Sequence, residues 1–203
     1  GEFITPEDAD GVLVAERDED GFAEGSAHKS NTVIADFNGD GYADIAVGAH
    51  QEDFDSTGTV YLFSGEDLGD GELSAADAFG TLETDVPGAE AVNHLWLGQD
   101  LDHDGSPDLM VFGDLSTDSS LGGAMRIFSG ADLLTGGVRD ILSPDSEWTI
   151  PEEDWDCTST TLVSAANMIP ANVGDLNEDG WDDMMVGTKF CKQKAWIFTG
   201  IDY

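Results

Sequence analysis

Apolar residues fall in short runs, rich in β-branched and aromatic side chains and bounded by glycine and aspartate, a pattern that predicts strands rather than helices. The runs recur in a fixed order. A first strand (residues 32–35, 94–97 and 168–173) leads into a polar loop dense in Asp, Asn and Gly, and a second (45–49, 109–113, 184–187) leaves it. A third, aromatic-rich run (60–65, 125–130, 196–200) ends each time in Phe-Ser/Thr-Gly. A weaker fourth run follows in two of the three cases, at residues 79–84 and 147–150.

Three copies of one unit are therefore present. The distance from the first Asp of each loop to the Phe of the third strand hardly changes (36 to 63, 100 to 128, 175 to 198), so length variation collects between units. Four antiparallel strands repeated in this way describe an all-β chain of β-propeller-type blades. The expected division is an N-terminal acidic segment (1–29), blade one (30–85), blade two (86–153) and blade three (154–203), the last without a fourth strand of its own.

The loops share the spacing D-x-[DN]-x-D-G-x-x-D. Loop one supplies Asp36, Asn38, Asp40, Tyr42 and Asp44; loop two Asp100, Asp102, Asp104, Ser106 and Asp108; loop three Asp175, Asn177, Asp179, Trp181 and Asp183. Side-chain oxygens stand at positions 1, 3, 5 and 9, with the position 7 carbonyl turned inward and a position 6 glycine that permits the sharp turn. Ca²⁺ is a hard cation that takes six to eight such oxygens at about 2.3–2.6 Å, whereas Mg²⁺ keeps more water. An EF-hand would need Glu at position 12, where Val47, Val111 and Val186 stand instead. Asp/Asn/Gly clusters are also ordinary turn composition, but three copies with the same oxygen positions and the same following strand favour three Ca²⁺ sites. A fourth acidic run, from Glu16 to Glu24, fits the spacing loosely, has no strand after it and reads as a plain acidic turn.

The run from Asp36 to Ala49 with its trailing 60–65 strand, and its two echoes, resembles the FG-GAP repeat of integrin α-subunit propellers and related bacterial secreted proteins. The resemblance implies a β-propeller whose calcium loops join the inner two strands of a blade. It also implies a role in extracellular adhesion or ligand binding, and the fifteen loop residues named above as calcium ligands.

Composition narrows the partners. In 203 residues there are 43 Asp+Glu against 7 Lys+Arg, a formal charge of −36, so nucleic-acid backbones and anionic membranes are repelled. Such an excess calls for bound cations, a high-salt habitat or disorder, and 40% hydrophobic residues spread through strand-like runs speak against disorder. No apolar stretch approaches a membrane span and no basic-then-apolar leader opens the sequence, which reads as a soluble, mature chain without membrane insertion.

Cys157 precedes the first strand of unit three and Cys191 follows its second, so a blade would bring them to one side, and a Cys157–Cys191 disulfide is expected. Together with the calcium loops it places the protein outside the cell or on its surface. Lys189, Lys192 and Lys194 cluster beside Cys191 as a solvated edge or a docking patch. The histidines (28, 50, 94 and 103) share no metal spacing, G-x-S-x-G is missing, and no acid/base pair stands out, so no enzyme is expected. A calcium-dependent lyase or hydrolase on a propeller scaffold is the minor alternative.

Three blades are too few to bend round and meet, and an apolar strand at residues 11–15 has no unit of its own. The expectation is that this strand adds to the open edge of unit three (195–199) in a neighbouring copy, giving a homo-oligomer, either a ring or a filament. The sequence thus reads as an extracellular, calcium-binding structural or adhesive protein. The alternative is a recognition module for a polysaccharide or protein ligand, as part of a longer secreted protein.

Overall fold

The computed structural model describes residues 9–15, 21–23, 30–49, 57–69, 71–86, 91–97, 100–113, 123–133, 135–149, 168–188 and 194–199. Cys157, Cys191, Lys189, Lys192, most of the acidic run 16–24, His28 and His50 lie outside them, and with them the expected disulfide.

The strands are β1 (Gly11–Val14), β2 (Thr32–Ala35), β3 (Asp44–Ala49), β4 (Thr59–Phe63), β5 (Gly71–Ser74), β6 (Gly80–Glu83) and β7 (His94–Leu97). They continue as β8 (Leu109–Gly113), β9 (Ala124–Phe128), β10 (Gly137–Asp140), β11 (Ser146–Thr149), β12 (Met168–Gly174), β13 (Asp183–Thr188) and β14 (Ala195–Phe198). One helical turn, α1 (Gly130–Leu133), and a 3-10 turn at Ala75–Asp77 complete the elements. The chain is all-β, as its periodicity predicts.

Each repeat forms a sheet. Sheet one runs β2-β3-β4-β6, sheet two β7-β8-β9-β11 and sheet three β12-β13-β14, all through antiparallel pairs. Strand alternation then sorts side chains between the two faces. Ala46 and Leu62 of sheet one pack with Leu95, Leu109 and Val111 of sheet two in one buried cluster. The opposite face of sheet two (Met110, Phe112, Met125, Ile127) packs with Met168, Met184 and Val186 of sheet three, sealed by Trp96, Trp148, Trp196 and Phe198. Trp148 meets Trp196 and Phe198 edge-on, with centroids 5.0 and 5.4 Å away. The innermost strands of sheets one and two also touch, through a bridge in which the Leu95 amide donates to the Ser30 carbonyl over 2.8 Å.

Two features depart from the sequence expectation, and both arise in the variable stretches. The N-terminal strand β1 is not an orphan: it pairs in parallel with β5, Gly11 to Gly71 through Val14 to Ser74. This ribbon lies over the outer face of sheet one, where Leu13, Leu73 and Phe22 pack on Val47, Ala49, Tyr61 and Phe63. The burial of those apolar side chains explains why a short strand finds its partner within its own chain. Second, β10 belongs to the unit-two stretch, yet it adds in parallel to β6 and becomes the fifth strand of sheet one. Arg139 on β10 fixes the crossover: its Nη2 donates to both carboxylate oxygens of Asp145 at 3.1 and 3.2 Å, and its guanidinium lies 5.3 Å from the Phe128 ring centroid.

Candidate metal-binding loops

Each Asp-rich loop joins the first and second strands of its sheet, and all three are wired alike. The position 1 carboxylate (Asp36, Asp100, Asp175) accepts from the position 6 glycine amide (Gly41, Gly105, Gly180) at 3.0, 2.9 and 2.8 Å. Those glycines sit at φ of +90°, +96° and +97°, a conformation that side chains disfavour. The position 5 carboxylate (Asp40, Asp104, Asp179) accepts from the amide of position 7 (Tyr42, Ser106, Trp181) at 2.7, 2.8 and 2.9 Å. The position 3 side-chain oxygen (Asn38, Asp102, Asn177) accepts from the amide of position 5 at 2.9, 3.1 and 3.1 Å. Positions 1, 3 and 5 are thereby turned toward one another by the backbone that links them.

The consequence is clearest in loop two, where Asp100, Asp102 and Asp104 hold carboxylate oxygens within 4.8 Å of one another. Burial pushes the Asp102 carboxyl above its ordinary range, and the charges of Asp104 and Asp100 push it the same way. Asp104 is pushed up by burial too, but hydrogen bonds from the Ser129 hydroxyl (2.7 Å) and the amides of Ser106 and Ala131 outweigh that and hold it low. Asp179 is held low by the side-chain amide of Asn177 and the Trp181 amide. In loop one, Asp36 Oδ1 is buried with no hydrogen-bond partner, an acceptor that a cation would satisfy. Convergent hard oxygens and a buried unused lone pair fit Ca²⁺.

Position 9 is placed differently. Asp44, Asp108 and Asp183 are buried at the root of each loop, and Asp108 is not among the three converging carboxylates of loop two. Asp44 Oδ2 accepts from Phe37 and Asn38 at 2.8 and 3.0 Å, and its Oδ1 from Gly65 at 2.8 Å. Asp108 repeats this with Leu101 (2.8 Å) and Gly130 (3.1 Å), and Asp183 with Leu176 (2.6 Å). Burial, reinforced by the charges of Asp102 and Asp104, pushes the Asp108 carboxyl up to about 7 against the pull of those two amides.

In sheets one and two this staple explains the glycine just after the third strand. A Cβ on Gly65 would overlap the Ala43 carbonyl, and one on Gly130 the Pro107 carbonyl, so only glycine lets the strand end lie on the loop and donate its amide to the carboxylate. Sequence reasoning assigned position 9 to coordination alone; the Phe-Ser/Thr-Gly ending was the signal that it also has a protein partner. A second feature went unread at position 4, where Gly39, His103 and Glu178 all have positive φ (72°, 63°, 62°). Only the glycine in loop one hints at it.

Loops two and three are neighbours. The His103 ring at position 4 of loop two stacks on Trp181 at position 7 of loop three, centroids 4.0 Å apart and 14° from parallel. Trp181 remains 41% exposed and Tyr42 55%, so aromatic rings stand at the rim of an acidic surface.

No curated protein matches the chain. Among the described residues no helix is long and apolar enough to cross a membrane. Residues 30–63, from the Ser30 bridge through loop one to the end of β4, match the FG-GAP repeat, so this segment of an all-β chain is similar to the repeat from which β-propeller blades are built.

Proposed function

We propose that this chain is an extracellular, calcium-stabilised blade module with a structural or adhesive role. The observation that carries the reading is the convergence of Asp100, Asp102 and Asp104 within 4.8 Å on a loop scaffold that recurs twice more. Side chains at positions 1, 3 and 5 and the carbonyl at position 7 would hold each ion. Asp44, Asp108 and Asp183 would brace each site from the loop root, where their carboxylates accept backbone amides. Loop two, with carboxylates at all four positions, is the tightest of the three, because ligand charge raises affinity. Self-association belongs to this reading, with β1 offering only the edge that its pairing with β5 leaves open.

Calorimetric titration of Ca²⁺ into chelator-stripped protein tests the assignment. Three ions are expected, falling to two in Asp102→Ala, together with a melting temperature that rises with calcium. Extracellular modules bind at about 10⁻⁴–10⁻³ M, and free calcium 100-fold above a dissociation constant adds about 2.7 kcal/mol per site. Identical melting curves in excess calcium and excess chelator would overturn it. The recognition alternative draws on the exposed Tyr42 and Trp181 rings beside the loops, since aromatic faces next to bound cations suit a polysaccharide. Saturable binding of a glycan, lost in Trp181→Ala, would favour it.

A further inference from the structure

Position 3 of loop one carries a reactive pair that the other two loops lack. Asn38-Gly39 is the one Asn-Gly step in the sequence; loop two has Asp102-His103 there and loop three Asn177-Glu178. The bond from the Asp40 amide to Asn38 Oδ1 (2.9 Å) closes a turn whose ring contains both the side-chain carbonyl carbon of Asn38 and the Gly39 nitrogen. It holds an electrophile beside a backbone nucleophile and polarises the Asn38 carbonyl. The Gly39 amide donates to no acceptor among the described residues, and Gly39 and Asp40 are exposed, so water and solvent base reach the step. Gly39 has φ of +72° and no Cβ to crowd the approach. Loop three is a control within the same chain. Asn177 makes the same turn, its Oδ1 accepting from the Asp179 amide at 3.1 Å. Its Nδ2, however, is tied to Asp179 Oδ2 at 2.7 Å, and Glu178 puts a side chain beside the attacking nitrogen.

We infer that Asn38 is a self-modification site, deamidated through attack by its own backbone. The Gly39 nitrogen gives its proton to solvent base and bonds to Asn38 Cγ; the Cγ–Nδ2 bond breaks, and Nδ2 takes up a proton and leaves as ammonia. Water then opens the five-membered imide. Cleavage at Cγ restores the backbone with aspartate at position 38, whereas cleavage at the main-chain carbonyl leaves isoaspartate, with the chain running through Cγ. The sum is amide plus water to carboxylic acid plus ammonia, with no change of oxidation state. The aspartate product gives loop one acids at positions 1, 3, 5 and 9, the set that loop two has in Asp100, Asp102, Asp104 and Asp108. The isoaspartate product adds a backbone atom between Asp36 and Asp40, which breaks the spacing that the bond from Gly41 to Asp36 depends on. The modification itself needs no ion. Its suppression by calcium, which would hold Asn38 Oδ1 in place, rests on the proposed function.

Ageing the intact folded chain in mildly alkaline buffer with chelator, followed by peptide mass mapping and isoaspartate labelling, tests it. The mass gain of amide-to-acid exchange should appear first in the peptide that carries Asn38, together with isoaspartate at that position. Its rate should exceed that at Asn177 at least ~10-fold, since the glycine leaves the attacking nitrogen uncrowded. Gly39→Ala should slow the conversion by a similar factor; because alanine is strained at this φ, the comparison of Asn38 with Asn177 in the wild type stands as the second measure. An Asn38 amide that survives as long as that of Asn177 would overturn the inference, as would conversion at an unchanged rate in folded Gly39→Ala. In a parallel arm, excess calcium should slow conversion at Asn38. Conversion confined to Asn38 but equally fast with and without calcium would support the modification and refute an ion at loop one.

Discussion

Replacing Asp44 with asparagine changes one oxygen to an amide nitrogen and leaves the shape of the side chain intact. In the wild type both carboxylate oxygens face only donors: Phe37 and Asn38 on one side, Gly65 on the other. Asparagine can turn its oxygen to one side only, so its NH₂ must confront an N–H. The better orientation keeps the two loop amides and sacrifices Gly65. Hydrogen bonds to charged groups contribute about 1.5–3 kcal/mol and neutral ones about 1, so one lost and two weakened bonds cost about 4 kcal/mol; relief from burying a charge returns part of it, for a net loss of about 3 kcal/mol. With a urea m-value near 2 kcal/mol/M, the midpoint should fall by about 1.5 M. The assay is urea unfolding followed by tryptophan fluorescence in excess chelator, so that any ion is out of the comparison. A midpoint within ~0.3 M of wild type would refute the staple. A shift seen with calcium but absent in chelator would show that Asp44 acts through the ion instead.

The same staple makes Gly130→Ala destabilising by about 3 kcal/mol, because the added methyl overlaps the Pro107 carbonyl and backbone must move; urea unfolding showing a loss under ~1 kcal/mol would contradict this. Asp108, with its carboxyl raised to about 7 by burial, binds its proton more tightly folded than unfolded. In chelator, its contribution to stability is therefore greatest below the unfolded value near 3.9 and is lost, at a cost of a few kcal/mol, as pH rises through 7. The check is the pH dependence of unfolding in wild type against Asp108→Asn, in which this slope should vanish.

The repeated strands and loops were legible because each is local. Alternation in 94–97 and 109–113 and the D-x-[DN]-x-D-G spacing need no knowledge of distant contacts, and the weaker fourth strands at 80–83 and 146–149 also appeared within a residue of their places. β5 (GELS) and β10 (GVRD) were not legible: neither is strongly apolar, and each exists because a partner strand far away in sequence offers hydrogen bonds. β1 was visible as a strand, but its partner was not, since pairing is decided by which apolar surface is nearest in space. At the loops, sequence identified the acids at positions 1, 3, 5 and 9 without separating the three that converge in loop two from the one that ties the loop to the strand end. That division rests on burial, which spacing does not encode.

β10 makes the linear order of repeats differ from the order of cooperative units. Stacked repeats ordinarily open one at a time, each held only by its neighbours. Here the connection from β9 to β11 detours through the edge of sheet one, so sheet two cannot unravel without drawing a strand out of sheet one, and both must melt as one block. Sheet three shares no strand with either among the described residues and is held by packing alone, through Met168, Met184, Val186 and the tryptophans. It is the part with freedom to open first, a sub-global excursion of lower free energy than global unfolding. The strand order thus predicts one cooperative block of two sheets and a third sheet that opens at lower free energy.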